Sequence, residues 1–140
     1  MRLFRKASSK SYTDDPDFGR IAEDAAGSWK GDTFELWGYP SIQIMIRTGP
    51  EGPTAEQRSF VRSLRTDTGI RARIEDAIAS VAKTSKTSPK MGALRLTSVF
   101  LPQSPLGETW RVWFDMEGEE QYWYGAEVMT GNRIVPFADD

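Results

Sequence analysis

Four carboxylates crowd one short stretch of the chain, Asp115, Glu117, Glu119 and Glu120. Carboxylates so spaced can exchange protons as a general acid and base, or hold Ca²⁺ or Mg²⁺. Their spacing lacks the Asp-x-Asp-x-Asp-Gly pattern of a calcium loop, and an acidic turn around a glycine is ordinarily there for solvation. No histidine and no cysteine occurs in the 140 residues. That double absence removes imidazole acid–base chemistry, thiolate nucleophiles, disulfides and zinc centres in their usual forms. What remains is carboxylate, lysine, arginine, serine or tyrosine chemistry, or binding without bond making. The expectation is a non-catalytic domain with no cofactor and no metal. A carboxylate- or divalent-metal-dependent enzyme is the alternative.

Two further groups of residues carry binding potential. Arg58, Arg62 and Arg65 fall on one arc of a helix-period segment. They read either as a solvated helix face or as a set of phosphate contacts for RNA. Trp113 and Trp123 lie on strand parities opposite to Val112/Phe114 and Tyr122/Tyr124. If one parity faces the core, the other exposes aromatics of the kind that dominate protein–protein recognition. A sheet buried on both faces is the competing expectation. Gly49-Pro50-Glu51-Gly52-Pro53 lacks the Gly-Lys-Ser/Thr ending of a phosphate loop, and its prolines remove amides that such a loop would use. It reads as a turn.

The elements that must position these groups follow from periodicity. Residues 1–16 read as a flexible polar extension, and residues 17–140 as a single α+β domain. Phe18, Gly19 and Ile21 open a first strand that returns through Ala25-Ala26-Gly27. A second strand runs from Trp29 to Trp37, and Tyr39-Pro40 marks a turn. Ile42, Ile44 and Ile46 alternate with polar neighbours in a third strand with one buried face. Thr54-Ala55-Glu56-Gln57 has the capping-box pattern of a helix start, and Phe60, Val61 and Leu64 share its apolar arc. Asp67 is placed to cap a second helix, with Ile70, Ile74, Ala77, Ile78 and Val81 as its apolar stripe. Four strands follow: Ala93–Leu101, Trp110–Met116, Tyr122–Val128 and Arg133–Phe137. In the first of these Leu94 and Leu96 sit on one side and Val99 and Leu101 on the other, which calls for a bulge. The order β-β-β-α-α-β-β-β-β predicts an antiparallel α+β sandwich with the two helices packed on one sheet face.

With 39% hydrophobic and 11% aromatic residues the chain can build a real core. A net charge of −2 gives no electrostatic reason to expect nucleic acid or an anionic membrane. The charge is segregated, however: residues 1–12 hold four bases and no acid, whereas residues 96–140 hold eight acids and two bases. No apolar run reaches the ~20 residues of a membrane span, and Met1–Lys6 is basic without the apolar stretch of a signal peptide. A cytoplasmic location is expected. No feature specifies the oligomeric state.

Several landmarks carry a resemblance. They are Phe18-Gly19 followed by Trp29-x-Gly31, the Ile42–Ile46 strand leading into Gln57, and Tyr122-Trp123-Tyr124-Gly125-Ala126-Glu127-Val128 beside Gly131-Asn132. Together they resemble a loose group of small bacterial α+β domains of uncharacterised function, some of which are immunity-like proteins of polymorphic toxins. Related domains often place a histidine beside the glycine of the late strand, where this chain has Ala126, so a role attached to that histidine does not transfer. The resemblance implies a bacterial toxin inhibitor that acts by binding. An acidic aromatic surface formed by Trp113, Asp115, Glu117 and Trp123 is then expected to steer and anchor a basic protein partner.

Overall fold

Alternation of period two dominates the strands. In a computed structural model, which describes residues 11–84, 94–116 and 123–139, those strands form one eight-stranded sheet whose order in space follows the order in sequence. The strands are β1 (Thr13–Asp15), β2 (Gly19–Ala25), β3 (Ser28–Leu36), β4 (Tyr39–Arg47), β5 (Leu94–Leu101), β6 (Trp110–Met116), β7 (Trp123–Met129) and β8 (Arg133–Asp139). Helices α1 (Ala55–Thr66) and α2 (Thr68–Thr84) connect β4 to β5. Because neighbours joined by such a crossover run the same way, β4 and β5 are parallel, while the other adjacent pairs are antiparallel. The α+β class holds. Three details of the expected order do not. There is an additional strand at Thr13–Asp15, inside the segment read as a polar extension; the strands make one sheet rather than a sandwich; and one ladder is parallel.

The register places one parity of each long strand inward. Ile42, Ile44 and Ile46 of β4 are buried, as are Trp110, Val112, Phe114 and Met116 of β6 and Tyr124, Ala126 and Val128 of β7. They share a single core with Val61 and Leu64 of α1 and Ile70, Ile74 and Ile78 of α2. Both β3 and β5 change parity midway. In β5 the shift between Leu96 and Ser98 lets Leu96, then Val99 and Leu101, all turn inward, as the two-sided leucine pattern required. In β3 a shift between Gly31 and Phe34 hands the inward face from the Trp29–Gly31 parity to Phe34 and Leu36.

The capping box at Thr54 forms: Gln57 N donates to Thr54 Oγ1 (3.1 Å), and Thr54 N donates to Gln57 Oε1 (2.9 Å). Gln57 is fully buried, and its Nε2 also donates to Arg47 O and Pro102 O, each at 2.9 Å. Those carbonyls belong to the last residue of β4 and the first residue past β5. At the opposite end of the same ladder Tyr39 Oη donates to Leu94 O (2.9 Å). Asp67 caps α2 as expected, accepting from Ile70 N at 3.0 Å. The turn expected at Tyr39-Pro40 lies two residues earlier. Trp37 and Gly38, with φ of 55° and 90°, join β3 to β4, and both positive values suit a tight two-residue hairpin. A bulky residue tolerates that conformation here because its indole is buried and its Nε1 donates to Leu64 O at 2.9 Å, satisfying a carbonyl in the last turn of α1.

Candidate functional site

Since inward parity belongs to the core, the opposite parity of β4 to β7 forms the other face of the sheet. There a groove of about 760 Å³ runs across the strands, lined by Met45, Arg47, Phe100, Arg111, Trp113 and Trp123 among others. Trp123 is 56% exposed and Met45 39%, while Trp113 and Phe100 are partly exposed. The pairing explains the grouping. Met45 lies opposite Phe100, Phe100 opposite Arg111, Trp113 opposite Gly125, and Asp115 opposite Trp123. Gly125 in turn pairs with Phe137, whose ring occupies the space that a Cβ at Gly125 would need. Only glycine lets that ring lie down on the sheet. Among the described residues this face leaves Trp123 mostly exposed and Trp113 partly so.

Of the residues expected to form a partner surface, Trp113, Asp115 and Trp123 all line the groove. Glu117 lies outside the described residues, as do Glu119, Glu120 and Tyr122. The described part of this face differs electrostatically from the expected acidic surface. Asp115 is not a free acid: Arg95 donates to both its oxygens, from Nε at 3.0 Å and Nη2 at 3.1 Å. Glu127 likewise accepts from Arg111 Nε at 2.9 Å. The described part of the face is therefore not acidic. Its lining bears Lys30, Arg47 and Arg111 against Asp115 alone. Phe100 anchors the basic end, with the guanidinium of Arg47 6.0 Å and that of Arg111 5.6 Å from its ring centroid.

Met45, Arg47, Phe100 and Arg111 were not singled out from sequence, although a signal existed. Once Ile42, Ile44 and Ile46 are inward, Met45 and Arg47 must be outward, and the same period-two logic exposes Phe100 and Arg111. What the sequence could not supply was adjacency, because β4 and β5 are brought together only by the helical crossover.

The guanidiniums of the arginine stripe of α1 are all paired within the chain, although Arg62 stays exposed. Arg62 donates from Nε (2.8 Å) and Nη2 (2.9 Å) to the two oxygens of Asp17. Arg58 Nη1 pairs with Asp15 at 2.6 Å and reaches Asp17 at 3.4 Å. Arg65 donates from Nη2 to Asp17 O (2.6 Å) and from Nε to Glu35 O (3.0 Å). All three clamp the turn that follows β1. Asp17 is buried, and the hydrogen bonds from Arg62 hold its carboxyl below the usual carboxylate range. Burial opposes that shift, whereas the charge of Arg62 and the contact with Arg58 add to it.

Among the described residues, no three carboxylates converge closely enough to hold a metal ion. No described helix is long and apolar enough to cross a membrane. No family model matches the chain, and no curated protein or solved structure matches it either.

Proposed function

We propose that this chain is a recognition domain that binds another protein through the outer face of β4 to β7, without catalysing a reaction. The observation that carries the reading is Trp123, 56% exposed on a sheet face where Met45, Phe100 and Trp113 are also accessible. Contiguous exposed aromatics on a folded domain mark an interaction site, and tryptophan leads the residue types that dominate binding energy. On this reading both helices cover one side of the sheet and leave the other for the partner. The ion pairs Arg95–Asp115 and Arg111–Glu127 sit among the aromatics as a polar framework. Their carboxylates disfavour a continuous phosphate backbone, so a protein fits this face better than a nucleic acid. The sheet edges are less suitable for docking. β1 is three residues long and bears Asp14 and Asp15, while β8 carries Pro136 and packs against α2.

A narrower proposal is an immunity-like inhibitor acting in the cytoplasm, which rests on the resemblance carried by Phe18-Gly19, Trp29-x-Gly31, the Ile42–Ile46 strand leading into Gln57, and Tyr122–Val128 beside Gly131-Asn132. The broader reading is tested by comparing what the wild-type chain and the Trp113→Ala/Trp123→Ala double variant retain from lysates of the source cell. A defined protein held by the wild type and lost by the variant, with the melting temperature of the variant little changed, is the expected result. Identical retention by both would overturn it. Restored growth on co-production with a retained toxin would test the narrower role.

A further inference from the structure

Within the groove one charge stands apart from the paired ones. Arg47 is exposed and has no ion pair among the described residues, although a guanidinium beside the carboxylates of a domain with net charge −2 would readily find one. Its neighbour across Phe100, Arg111, uses only Nε toward Glu127, which leaves its two Nη groups for another acceptor. Lys30, opposite Met45 in the register, adds a third cation at this end, although Asp24 lies 3.2 Å from its Nζ. The other end of the groove is aromatic, with Trp113 and Trp123.

Building on the reading of this face as a protein-binding surface, we infer that its partner is an acidic segment that presents a carboxylate beside a large apolar or aromatic side chain. The carboxylate lies over Phe100 between Arg47 and Arg111, and the apolar group packs toward Trp113. Two guanidiniums within 6.0 Å of one ring centroid bring their donors to one spot, and each donor fork suits a carboxylate. The ring beneath them excludes water from one side and strengthens the contact. A basic partner, which an acidic face would have attracted, meets unmatched positive charge here instead. Among the described acids, a single carboxylate at the Arg47–Arg111 end meets only Glu127, whose charge Arg111 already balances through Nε, whereas a phosphate chain spanning the groove would also have to pass Asp115.

The test is calorimetric titration of the full chain with a random glutamate–tyrosine copolymer. A lysine–tyrosine copolymer and an oligothymidylate serve as the competing probes. The glutamate–tyrosine copolymer is expected to bind, to weaken about tenfold on going from low to physiological salt, and to lose about tenfold in affinity on Arg47→Ala. Arg47→Glu should abolish the interaction, and because Arg47 is exposed both variants should melt near the wild-type temperature. Tighter binding of the lysine copolymer or of the oligonucleotide overturns the inference, as does absence of copolymer binding to the wild type. If Trp123→Ala weakens binding and Arg47→Glu does not, the recognition face stands and the carboxylate assignment falls. If neither variant changes a measurable affinity, both fall.

Discussion

Single side chains in this domain show how local chemistry sets stability. Tyr124 is fully buried, and among the described residues its hydroxyl finds no hydrogen-bond partner. A buried polar group left unsatisfied is costly, so Tyr124→Phe is expected to be neutral or stabilising by up to about 1 kcal/mol in urea denaturation. Asp17 behaves oppositely. Its folded-state carboxyl titrates below the ordinary value because Arg62 donates to it, so ionisation favours the folded state. That contribution is complete above the unfolded carboxylate pKa of about 3.9 and is lost as pH falls through the lower folded value. Asp17→Asn should therefore lower the melting temperature at neutral pH, by about 2 kcal/mol of stability, and the gap from wild type should shrink toward about pH 3. Equal gaps at both pH values would show that the arginine clamp acts by shape rather than charge.

At the scale of elements, Gln57 joins three pieces of structure, serving the α1 cap and the ends of β4 and β5 at once. Gln57→Met keeps the volume but strands two buried carbonyls, and an expected loss of about 2–4 kcal/mol should appear as a lower denaturation midpoint. Its place in a capping box was legible from Thr54-Ala55-Glu56-Gln57; its reach to Pro102 was not, because that contact spans 45 residues. The same division runs through the other elements. Both helices, the four later strands and the β5 bulge followed from hydrophobic period and cap chemistry, all of which act over a few residues. Strand β1 was missed because Thr13-Asp14-Asp15 has no apolar alternation, and its anchoring comes from arginines on a distant helix. The hairpin at Trp37-Gly38 was missed because tryptophan seldom takes positive φ, and its stabilising contact, Leu64 O, again lies far along the chain. The aromatic pair of the groove was visible as parity. The identity of its charged companions was not, since Asp115 is neutralised by Arg95 across a strand pairing rather than along the sequence.

For the molecule as a whole, the two faces of one sheet differ in burial, and stability should divide accordingly. Phe114, fully buried, and Trp123, mostly exposed, belong to adjacent strands. Phe114→Ala is expected to cost about 3–5 kcal/mol, and Trp123→Ala no more than about 1 kcal/mol, in parallel thermal or urea melts. Similar losses from both would mean that the outer face is part of the core after all.

The parallel ladder between β4 and β5 is a seam between two meanders, β1 to β4 and β5 to β8, fastened at its ends by Tyr39 and Gln57. The groove straddles that seam, with Met45 and Arg47 on one bank and Phe100, Arg111, Trp113 and Trp123 on the other. Sliding one meander past the other would change the gap between the two guanidiniums. If this face binds as proposed, the fasteners at the ends of the ladder fix the spacing between the two banks that a partner would have to span.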